Sequence, residues 1–176
     1  SEIENPVLEF TLLKDDVETG IKFRGIPGGH EFTSLLLAVL NADGKGKNLP
    51  DEAIRRRIRA LQGDISLQTY VSLTCTNCPD VVQALNIIAL LNPHVTHEMV
   101  DGEEVDALKI QAVPSVYANG KLLHVGRGSL GELLQKLEEA FGSAPQEDEA
   151  PIERDFDVLV LGGGPAGASA AIYSAR

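Results

Sequence analysis

Two cysteines, Cys75 and Cys78, stand three residues apart between two segments of different period. Residues 65–72 alternate apolar and polar side chains, the period of a half-buried strand, whereas the mostly apolar residues 81–91 predict a buried helix. A C-x-x-C at such a junction places the first thiol at the N-terminus of the helix. There, unpaired backbone N–H groups and the helix dipole favour a thiolate over a thiol. The spacing therefore predicts a site of dithiol/disulfide exchange.

The segments that follow the cysteines complete a known order of elements. The pattern predicts a helix over about 79–91, a strand over 95–100 and a short helix over 103–109. Two short strands then flank Asn119-Gly120, a dipeptide typical of a two-residue hairpin turn. Leucines at helical spacing over 130–141 predict a final amphipathic helix. With the strand before the cysteines, the order β-α-β-α-β-β-α is that of a thioredoxin fold.

The residues before this unit contain no cysteine and predict a second unit that lacks its own beginning. Strands at 7–13 and 21–24, a helix over 32–40 and a basic helix that starts near Pro50 precede residue 63. We therefore predict an α/β chain of tandem thioredoxin-like folds, the first incomplete, followed by the first βα turn of a Rossmann-like dinucleotide-binding domain. The predicted domains are 1–62, the truncated unit; 63–142, the unit with the C-x-x-C; 143–154, a flexible acidic linker; and 155–176, the start of the dinucleotide-binding domain.

Composition and charge exclude several classes of function. The chain is 43% hydrophobic, which suffices for a globular core, and its formal charge of −11 repels the phosphates of nucleic acids. No apolar stretch approaches the ~20 residues of a membrane span, and no leader peptide opens the chain. A single close pair of cysteines fits a soluble cytoplasmic protein. The first residue, Ser1, and the last, Arg176 in a helical run, indicate a fragment of a longer chain.

Zinc binding is the main alternative for the two cysteines. His94 and His97 follow Cys78, so a C-x2-C…H-x2-H pattern can be written. The histidines of a zinc finger lie on one helix, three to five residues apart. Here they fall at a predicted strand, where residues three apart point to opposite faces. Redox chemistry is the favoured interpretation, with a zinc site or an inert buried pair as alternatives.

Position along the chain assigns the two thiols different roles. Cys75 is nearer the helix N-terminus, and we expect it to be the more exposed and more acidic thiol, which attacks a partner disulfide. Cys78 then resolves the mixed disulfide. Pro114 follows Val113 at the start of a strand opposite the pair, where this fold carries a cis-proline. An ordinary trans proline in a loop is the alternative.

Two charged features have simple interpretations in the sequence. Glu31 precedes an apolar helix, where a carboxylate most often serves as a first-turn charge favoured by the helix dipole. A catalytic role is the alternative for this residue. The second feature is a group of arginines on one side of the helix predicted to start near Pro50. The simplest interpretation is a solvated helix face, and contact with a partner is the alternative. The arginines are Arg55, Arg56, Arg57 and Arg59.

A glycine-rich turn near the end of the chain predicts the start of a dinucleotide-binding domain. Gly162, Gly164 and Gly167 have the G-x-G-x-x-G spacing between an apolar strand and a helix of small residues. Such glycines let a pyrophosphate approach the N-terminus of the helix. The acidic residue expected about 20 positions later would lie beyond Arg176. The chain itself is therefore not expected to bind a dinucleotide.

Together, these motifs resemble the flavoprotein subunit of bacterial alkyl hydroperoxide reductase. The resemblance rests on four segments, which are residues 29–35, residues 75–86, Val113-Pro114 with Asn119-Gly120, and residues 162–176. It implies two fused thioredoxin folds, a linker, and a core that binds FAD and NADH and carries a second C-x-x-C. It also implies a homodimer of the full-length protein. Relative to the pattern of that family, the sequence lacks the opening strand and helix of the first fold and most of the FAD core.

The resemblance further implies a path for electrons. They pass from NADH to FAD, to the core disulfide, to Cys75 and Cys78, and on to a peroxiredoxin that reduces peroxides. Cys75 matches the attacking thiol, Cys78 its resolving partner, and Glu31 the acid–base carboxylate near the dithiol. The expected partners are the peroxiredoxin and the flavin core of the same chain, with no cofactor or metal in the fragment. A stand-alone glutaredoxin-like disulfide reductase is the alternative function.

Overall fold

Six strands pair into one mixed sheet in the computed structural model, which describes residues 8–44, 46, 49–102, 112–145, 169 and 172–174. The chain divides into two units, Ser1–Gln146 and Glu147–Arg176. In the second unit, the described residues 169 and 172–174 are helical. The elements of the first unit are, in chain order, β1 (Glu9–Lys14), β2 (Val17–Arg24), a 3-10 turn (Gly29–Glu31), α1 (Phe32–Ala42), α2 (Glu52–Ala60), β3 (Ile65–Val71), α3 (Cys78–Leu91), β4 (Val95–Asp101), β5 (Ser115–Ala118), β6 (Lys121–Val125) and α4 (Leu130–Phe141).

The strand order of the sheet is β1-β2-β4-β3-β5-β6. Strands β3 and β4 run parallel because α3 crosses between them, and β2 also pairs with β4 in parallel. The pairs β1–β2, β3–β5 and β5–β6 are antiparallel. The predicted hairpin turn is confirmed, since Asn119 and Gly120 both have positive φ, at 47° and 75°. These pairings give the thioredoxin-like α/β fold that the order of elements predicts.

The helix that follows the cysteines lies at the centre of the core. Helix α3 packs on β2, β3 and β4 and also contacts α1, α2 and α4. This position explains why its sequence is apolar on nearly all sides rather than on one stripe. The residues of one buried cluster, each at most 1% exposed, include Leu85 and Ile88 of α3, Leu67 of β3 and Met99 of β4. The dithiol is thus attached to the most buried helix in the described part of the chain.

Several boundaries differ from the sequence prediction for local reasons. Helix α3 begins at Cys78 itself, one residue before the predicted start. Helix α2 begins at Glu52, because the side chain of Asp51 caps it by accepting a hydrogen bond from the Ile54 N–H at 2.9 Å. Strand β2 starts at Val17, four residues before the prediction. The predicted helix over 103–109 lies outside the described residues.

The segments on either side of the second predicted domain pair directly with neighbouring elements. Ile21 of β2 is in register with His97 of β4, so the first 60 residues contribute to the same sheet. After α4, the Ala144 N–H donates to the Ala60 carbonyl at 2.7 Å. The start of the predicted linker is therefore hydrogen bonded to the end of α2. None of the described helices is long and apolar enough to cross a membrane.

One of the arginines of α2 is part of an ion pair between helices, so the predicted solvated face also carries a contact within the chain. Arg57 donates two hydrogen bonds to Glu138 of α4, Nε to Oε1 at 2.9 Å and Nη2 to Oε2 at 2.7 Å. These bonds raise the pKa of Arg57 above its ordinary value. Arg59 pairs instead with Glu52 of its own helix at 3.0 Å, with both side chains more than half exposed. The arginine-rich helix is thereby joined to α4.

We expect the Arg57–Glu138 pair to contribute more to stability than the Arg59–Glu52 pair. Its side chains are only 35% and 21% exposed and its geometry is bidentate, so a double-mutant cycle of alanine substitutions should give a coupling of about 1 kcal/mol. The same cycle on the exposed pair should give roughly 0.3 kcal/mol. Urea unfolding of the single and double variants measures both couplings. Equal couplings for the two pairs would contradict this expectation.

Candidate active site

Cys75 and Cys78 form a disulfide at the start of α3, with their Cα atoms 5.6 Å apart. Cys78 is the first residue of the helix and is fully buried, whereas Cys75 in the preceding loop is half-buried. The Cys75 N–H closes a turn by donating to the Ser72 carbonyl at 2.9 Å. The prediction that Cys75 is the more exposed of the two is confirmed. The site is therefore in its oxidised form, with Cys75 as the less buried of the two residues.

The N-terminus of α3 provides an environment that stabilises a thiolate. No described side chain caps it, because Asn77 at the cap position makes no side-chain hydrogen bond to the helix. Pro79 in the first turn has no N–H, and the other N–H groups of that turn have no partner within the helix. These groups and the helix dipole attract negative charge on a sulfur at the helix start. The geometry thus agrees with the pattern that the C-x-x-C predicts.

Pro114 lies next to the strand that leads to the dithiol. The Val113–Pro114 bond is cis, as predicted, and β5 begins immediately after it. Ser115 of β5 is in register with Tyr70, near the end of β3 from which the chain continues to Cys75. The Pro114 carbonyl accepts a hydrogen bond from the Gly126 N–H at 2.8 Å.

Glu31 is a fully buried carboxylate, which the simple interpretation of a first-turn charge does not predict. Neither carboxylate oxygen has a hydrogen-bond partner among the described residues. Burial raises the pKa of Glu31 to about 7, and the hydroxyl of Ser34 opposes this shift. Glu31 is therefore poised between its protonated and ionised forms near neutral pH.

The turn that carries Glu31 is attached to the segment that leads to the dithiol. The His30 N–H donates to the Leu73 carbonyl at 3.3 Å, two residues before Cys75, and the turn also contacts α3. Gly29 makes this approach possible, since it has φ +53° and a Cβ there would lie 2.6 Å from the Leu73 oxygen. The structure therefore brings Glu31 to the corner of the fold where the dithiol lies.

A chain of hydrogen-bonded polar side chains is buried beneath α3. The sequence did not predict it, since His97 was considered only as a possible zinc ligand. The Thr69 hydroxyl lies 2.7 Å from His97 Nε2, and His97 Nδ1 lies 2.7 Å from Asn86 Oδ1. Burial lowers the pKa of His97 to about 3, so the ring is neutral. The chain joins β3, β4 and α3. One signal in the sequence is that Thr69 and His97 occupy positions in phase with the inward-facing apolar residues of their strands.

The structure does not assemble the cysteines and histidines into one cluster. Both ring nitrogens of His97 are hydrogen bonded in the core, while the exposed His94 lies 3.0 Å from Asp64. His97 is in β4, whereas His94 lies in the turn before that strand, so the two histidines do not share a helix as the ligands of a zinc finger do. No group of three His, Cys, Asp or Glu side chains suited to a metal was found among the described residues. The glycines Gly162, Gly164 and Gly167 lie outside those residues.

A groove of about 540 Å³ runs beside the dithiol helix. Asp80 and Gln83 line one side of it from α3, and Arg127 and Glu132 line the other from the start of α4 and the loop before it. The N-terminus of α4 is closed by a capping box between Ser129 and Glu132. The groove thus presents charges of both signs close to the first turn of α3.

Known proteins share both the sequence and the fold of this site. The profile of the thioredoxin domain family matches residues 66–139. The F subunit of alkyl hydroperoxide reductase from Pseudomonas putida is 49% identical over 95% of this chain and 32% of that protein. A Bacillus subtilis (strain 168) protein named NADH dehydrogenase is 47% identical over 98% of this chain and 34% of that protein. The crystal structure of the NTD_N/C domain of alkylhydroperoxide reductase AhpF from Enterococcus faecalis (V583) matches with a TM-score of 0.61 and 41% identity, covering 68% of this chain and 59% of that chain.

The chain spans about a third of the length of the curated relatives it matches. The similarity covers nearly all of the present sequence, and the match to the thioredoxin domain family spans the two cysteines. A C-x-x-C in a thioredoxin domain is the site of disulfide oxidoreductase chemistry. The chain therefore matches the F subunits of alkyl hydroperoxide reductase over about a third of their length, and its Cys75–Cys78 disulfide is a thioredoxin-type disulfide oxidoreductase site.

Proposed function

We propose that this chain relays electrons from an FAD- and NADH-dependent core, similar to thioredoxin reductase, to a peroxiredoxin that reduces peroxides. The observation that carries the proposal is the Cys75–Cys78 disulfide at the N-terminus of α3, in a chain with longer AhpF relatives. FAD and NADH belong to the full-length protein, which we propose to be a homodimer. The turn with Gly162, Gly164 and Gly167 would then approach the FAD pyrophosphate.

In the proposed reaction, the reduced dithiol transfers two electrons to a partner disulfide. The Cys75 thiolate attacks one partner sulfur, which breaks the partner S–S bond, forms a mixed disulfide and releases a partner thiolate. Cys78 then loses its proton and attacks the Cys75 sulfur. The Cys75–Cys78 disulfide forms and the second partner thiolate leaves, so the partner is reduced and the dithiol oxidised. The flavin core restores the dithiol by the reverse exchange.

The burial of the two sulfurs supports this order of events. Cys75 is accessible and lies at the start of the loop-to-helix transition, while Cys78 is fully enclosed within the core. A partner protein can reach only an accessible sulfur, and a resolving thiol needs to reach only Cys75. Because nucleophilicity requires the thiolate, the uncapped N-terminus of α3 favours attack near neutral pH.

Glu31 is the proposed proton partner of the dithiol. A carboxyl group with a pKa of about 7 can accept a proton from a thiol and return it at the same pH. Its turn is hydrogen bonded to Leu73, close in the chain to Cys75. In the ionised form, Glu31 would take the Cys78 proton as that thiol attacks the mixed disulfide. In the reverse reaction, it would return the proton.

Pro114 is proposed to shape the surface where the partner disulfide docks. A proline has no backbone N–H, so it cannot pair with β3 in the way its neighbours in β5 do. We propose that this segment pairs instead with the extended backbone around the partner disulfide, in the manner of strand addition. Its position beside β3 directs such a segment to Cys75.

We also propose that residues 1–62 are the remaining part of a first thioredoxin-like unit, and that residues 155–176 begin the FAD domain after an acidic linker. The first proposal is supported by the hairpin β1–β2, followed by α1. Helix α1 exposes an apolar stripe at helical spacing, which suits the surface of an element covered in a more complete unit. The stripe consists of Phe32, Leu36, Val39 and Leu40, each 47–53% exposed.

A transfer experiment distinguishes the relay from a general disulfide reductase. The chain is reduced, freed of reductant, and mixed with an oxidised peroxiredoxin or with a glutathione mixed disulfide on a model protein. We expect rapid oxidation of the dithiol by the peroxiredoxin and slow oxidation by the glutathione mixed disulfide, as followed by thiol labelling and mass spectrometry. Rapid reaction with the glutathione mixed disulfide alone would reject the relay in favour of a glutaredoxin-like function.

A further inference from the structure

We propose that Ser34, held by Gln83, is a positioning residue that turns its hydroxyl hydrogen to the Glu31 carboxylate when that group releases its proton. This inference rests on the proposed role of Glu31 but concerns a separate question, namely what stabilises the carboxylate in the core. An unpaired charge is costly to bury, so a buried acid that ionises needs a donor that becomes available at that moment.

Ser34 is placed to serve as that donor. It is fully buried and follows Glu31 by three residues, a spacing that puts both side chains on one side of the helical turn. The half-buried Gln83 of α3 donates its Nε2–H to Ser34 Oγ, with the two atoms 3.4 Å apart. The contact therefore joins the turn of Glu31 to the helix that begins at Cys78.

The hydrogen bond from Gln83 orients the serine hydroxyl. A hydroxyl has one hydrogen to donate and two lone pairs that accept. Gln83 uses one lone pair of Ser34, which leaves the hydrogen for an acceptor on another side. Both oxygens of Glu31 lack a hydrogen bond in the described part of the chain. Once the negative charge develops, rotation of the Ser34 side chain and of the carboxylate can bring the hydroxyl hydrogen to one of these oxygens.

Gln83 also connects this buried pair to the surface. Its side chain lines the groove beside α3, together with Asp80, Arg127 and Glu132. The amide therefore separates the solvent of the groove from Ser34 and Glu31. Removing it would both free the hydroxyl and open a route for water to the carboxylate. We therefore expect removal of the Gln83 amide to shift the titration midpoint of Glu31 by less, and less specifically, than loss of the Ser34 hydroxyl.

Few other titratable groups surround Glu31 among the described residues. His30 precedes it in the same turn, and α1 contains none. Helix α3 contributes Cys78 and Asp80, with Cys75 in the loop before it. The cysteines do not titrate in the disulfide, and neither His30 nor Asp80 is hydrogen bonded to Glu31. Among the side chains around Glu31, we therefore expect Ser34 to have the largest local influence on its ionisation.

The experiment titrates Glu31 directly in the oxidised 176-residue chain. Carbon-13 labelling of glutamate carboxyl groups gives one NMR signal for each residue, and Glu31→Gln identifies the signal of Glu31. We expect Ser34→Ala to raise the titration midpoint by about one pH unit, because an ionic hydrogen bond is lost. Ser34→Thr, which keeps the hydroxyl, should restore most of the shift. Thr33→Val, on the exposed side of the same turn, is the matched control and should leave the midpoint unchanged.

The outcomes separate this inference from the proposed function. A midpoint for Ser34→Ala equal to that of Thr33→Val would overturn the inference. Gln83→Leu gives a second test if Ser34→Ala does not fold, and an unchanged midpoint there would also count against it. The pH profile of dithiol exchange is measured on the same variants. If the NMR midpoint moves while that profile does not, Ser34 positions the carboxylate as proposed, and Glu31 is rejected as the proton partner.

Discussion

Cys75→Ser is expected to abolish disulfide exchange, lowering the rate roughly a thousandfold or more, because a hydroxyl cannot replace the attacking thiolate. Cys75 is the accessible member of the pair, and the fully buried Cys78 cannot meet a partner disulfide in its place. The rate is measured with the reduced chain and an oxidised peroxiredoxin, by quenching with a thiol-alkylating reagent. The variant should keep its fold, which circular dichroism and thermal unfolding test.

Cys78→Ser is expected to give a different result, namely a trapped intermediate. Its Cys75 can still attack the partner, but no thiol resolves the mixed disulfide. Non-reducing electrophoresis should show a covalent complex of the two proteins, which disappears on addition of a reductant. The reverse pattern, with trapping by Cys75→Ser and none by Cys78→Ser, would contradict the assigned roles.

Loss of stability should not account for these effects. Only two residues separate the cysteines, and a disulfide that closes so short a loop removes little entropy from the unfolded chain. The reduced parent chain is the matched control, since it has lost the same covalent bond while keeping both thiols. If the two serine variants unfold at the same temperature as the reduced parent, their exchange rates report chemistry alone.

The sequence predicts the dithiol site well because its determinants are local. The alternation of β3, the apolar run of α3 and the Asn119-Gly120 turn each reflect the backbone of a few consecutive residues. The position of Cys78 at the helix start follows from the same short segment. These features could therefore be placed to within a residue, together with the cis bond at Pro114.

The acid–base environment could not be predicted because it depends on distant contacts. From its neighbours alone, Glu31 is a charge at a helix start, yet it is buried against a segment more than 40 residues later, around Leu73. His97 similarly becomes neutral only because Thr69 and Asn86 enclose it. Arg57 meets Glu138 from the other end of the unit. Charge patterning describes a helix face, whereas tertiary packing decides which of its charges are desolvated.

Glu31→Gln is expected to stabilise the oxidised chain at alkaline pH while impairing exchange. In the folded chain the pKa of Glu31 is about 7, above the ordinary value of 4.5 that applies when it is unfolded. Between these values, the folded state holds a proton that the unfolded state has released, so stability falls as pH rises. The contribution is fully present below about pH 4.5 and is lost above about pH 7. A difference of this size corresponds to about 3 kcal/mol.

Glutamine is neutral at every pH, so its buried amide changes the free energy of unfolding by an amount that does not vary with pH. We therefore expect the stability of Glu31→Gln relative to the parent to increase by about 3 kcal/mol from pH 4 to pH 8, as measured by urea unfolding at several pH values. Glu139→Gln, at an exposed position on α4, is the control and should show no such increase. A stability difference that is constant with pH would show that Glu31 does not carry its proton into the neutral range. Together with the expected loss of exchange activity, a rise would show that the chain maintains a destabilising buried acid because the dithiol reaction requires it.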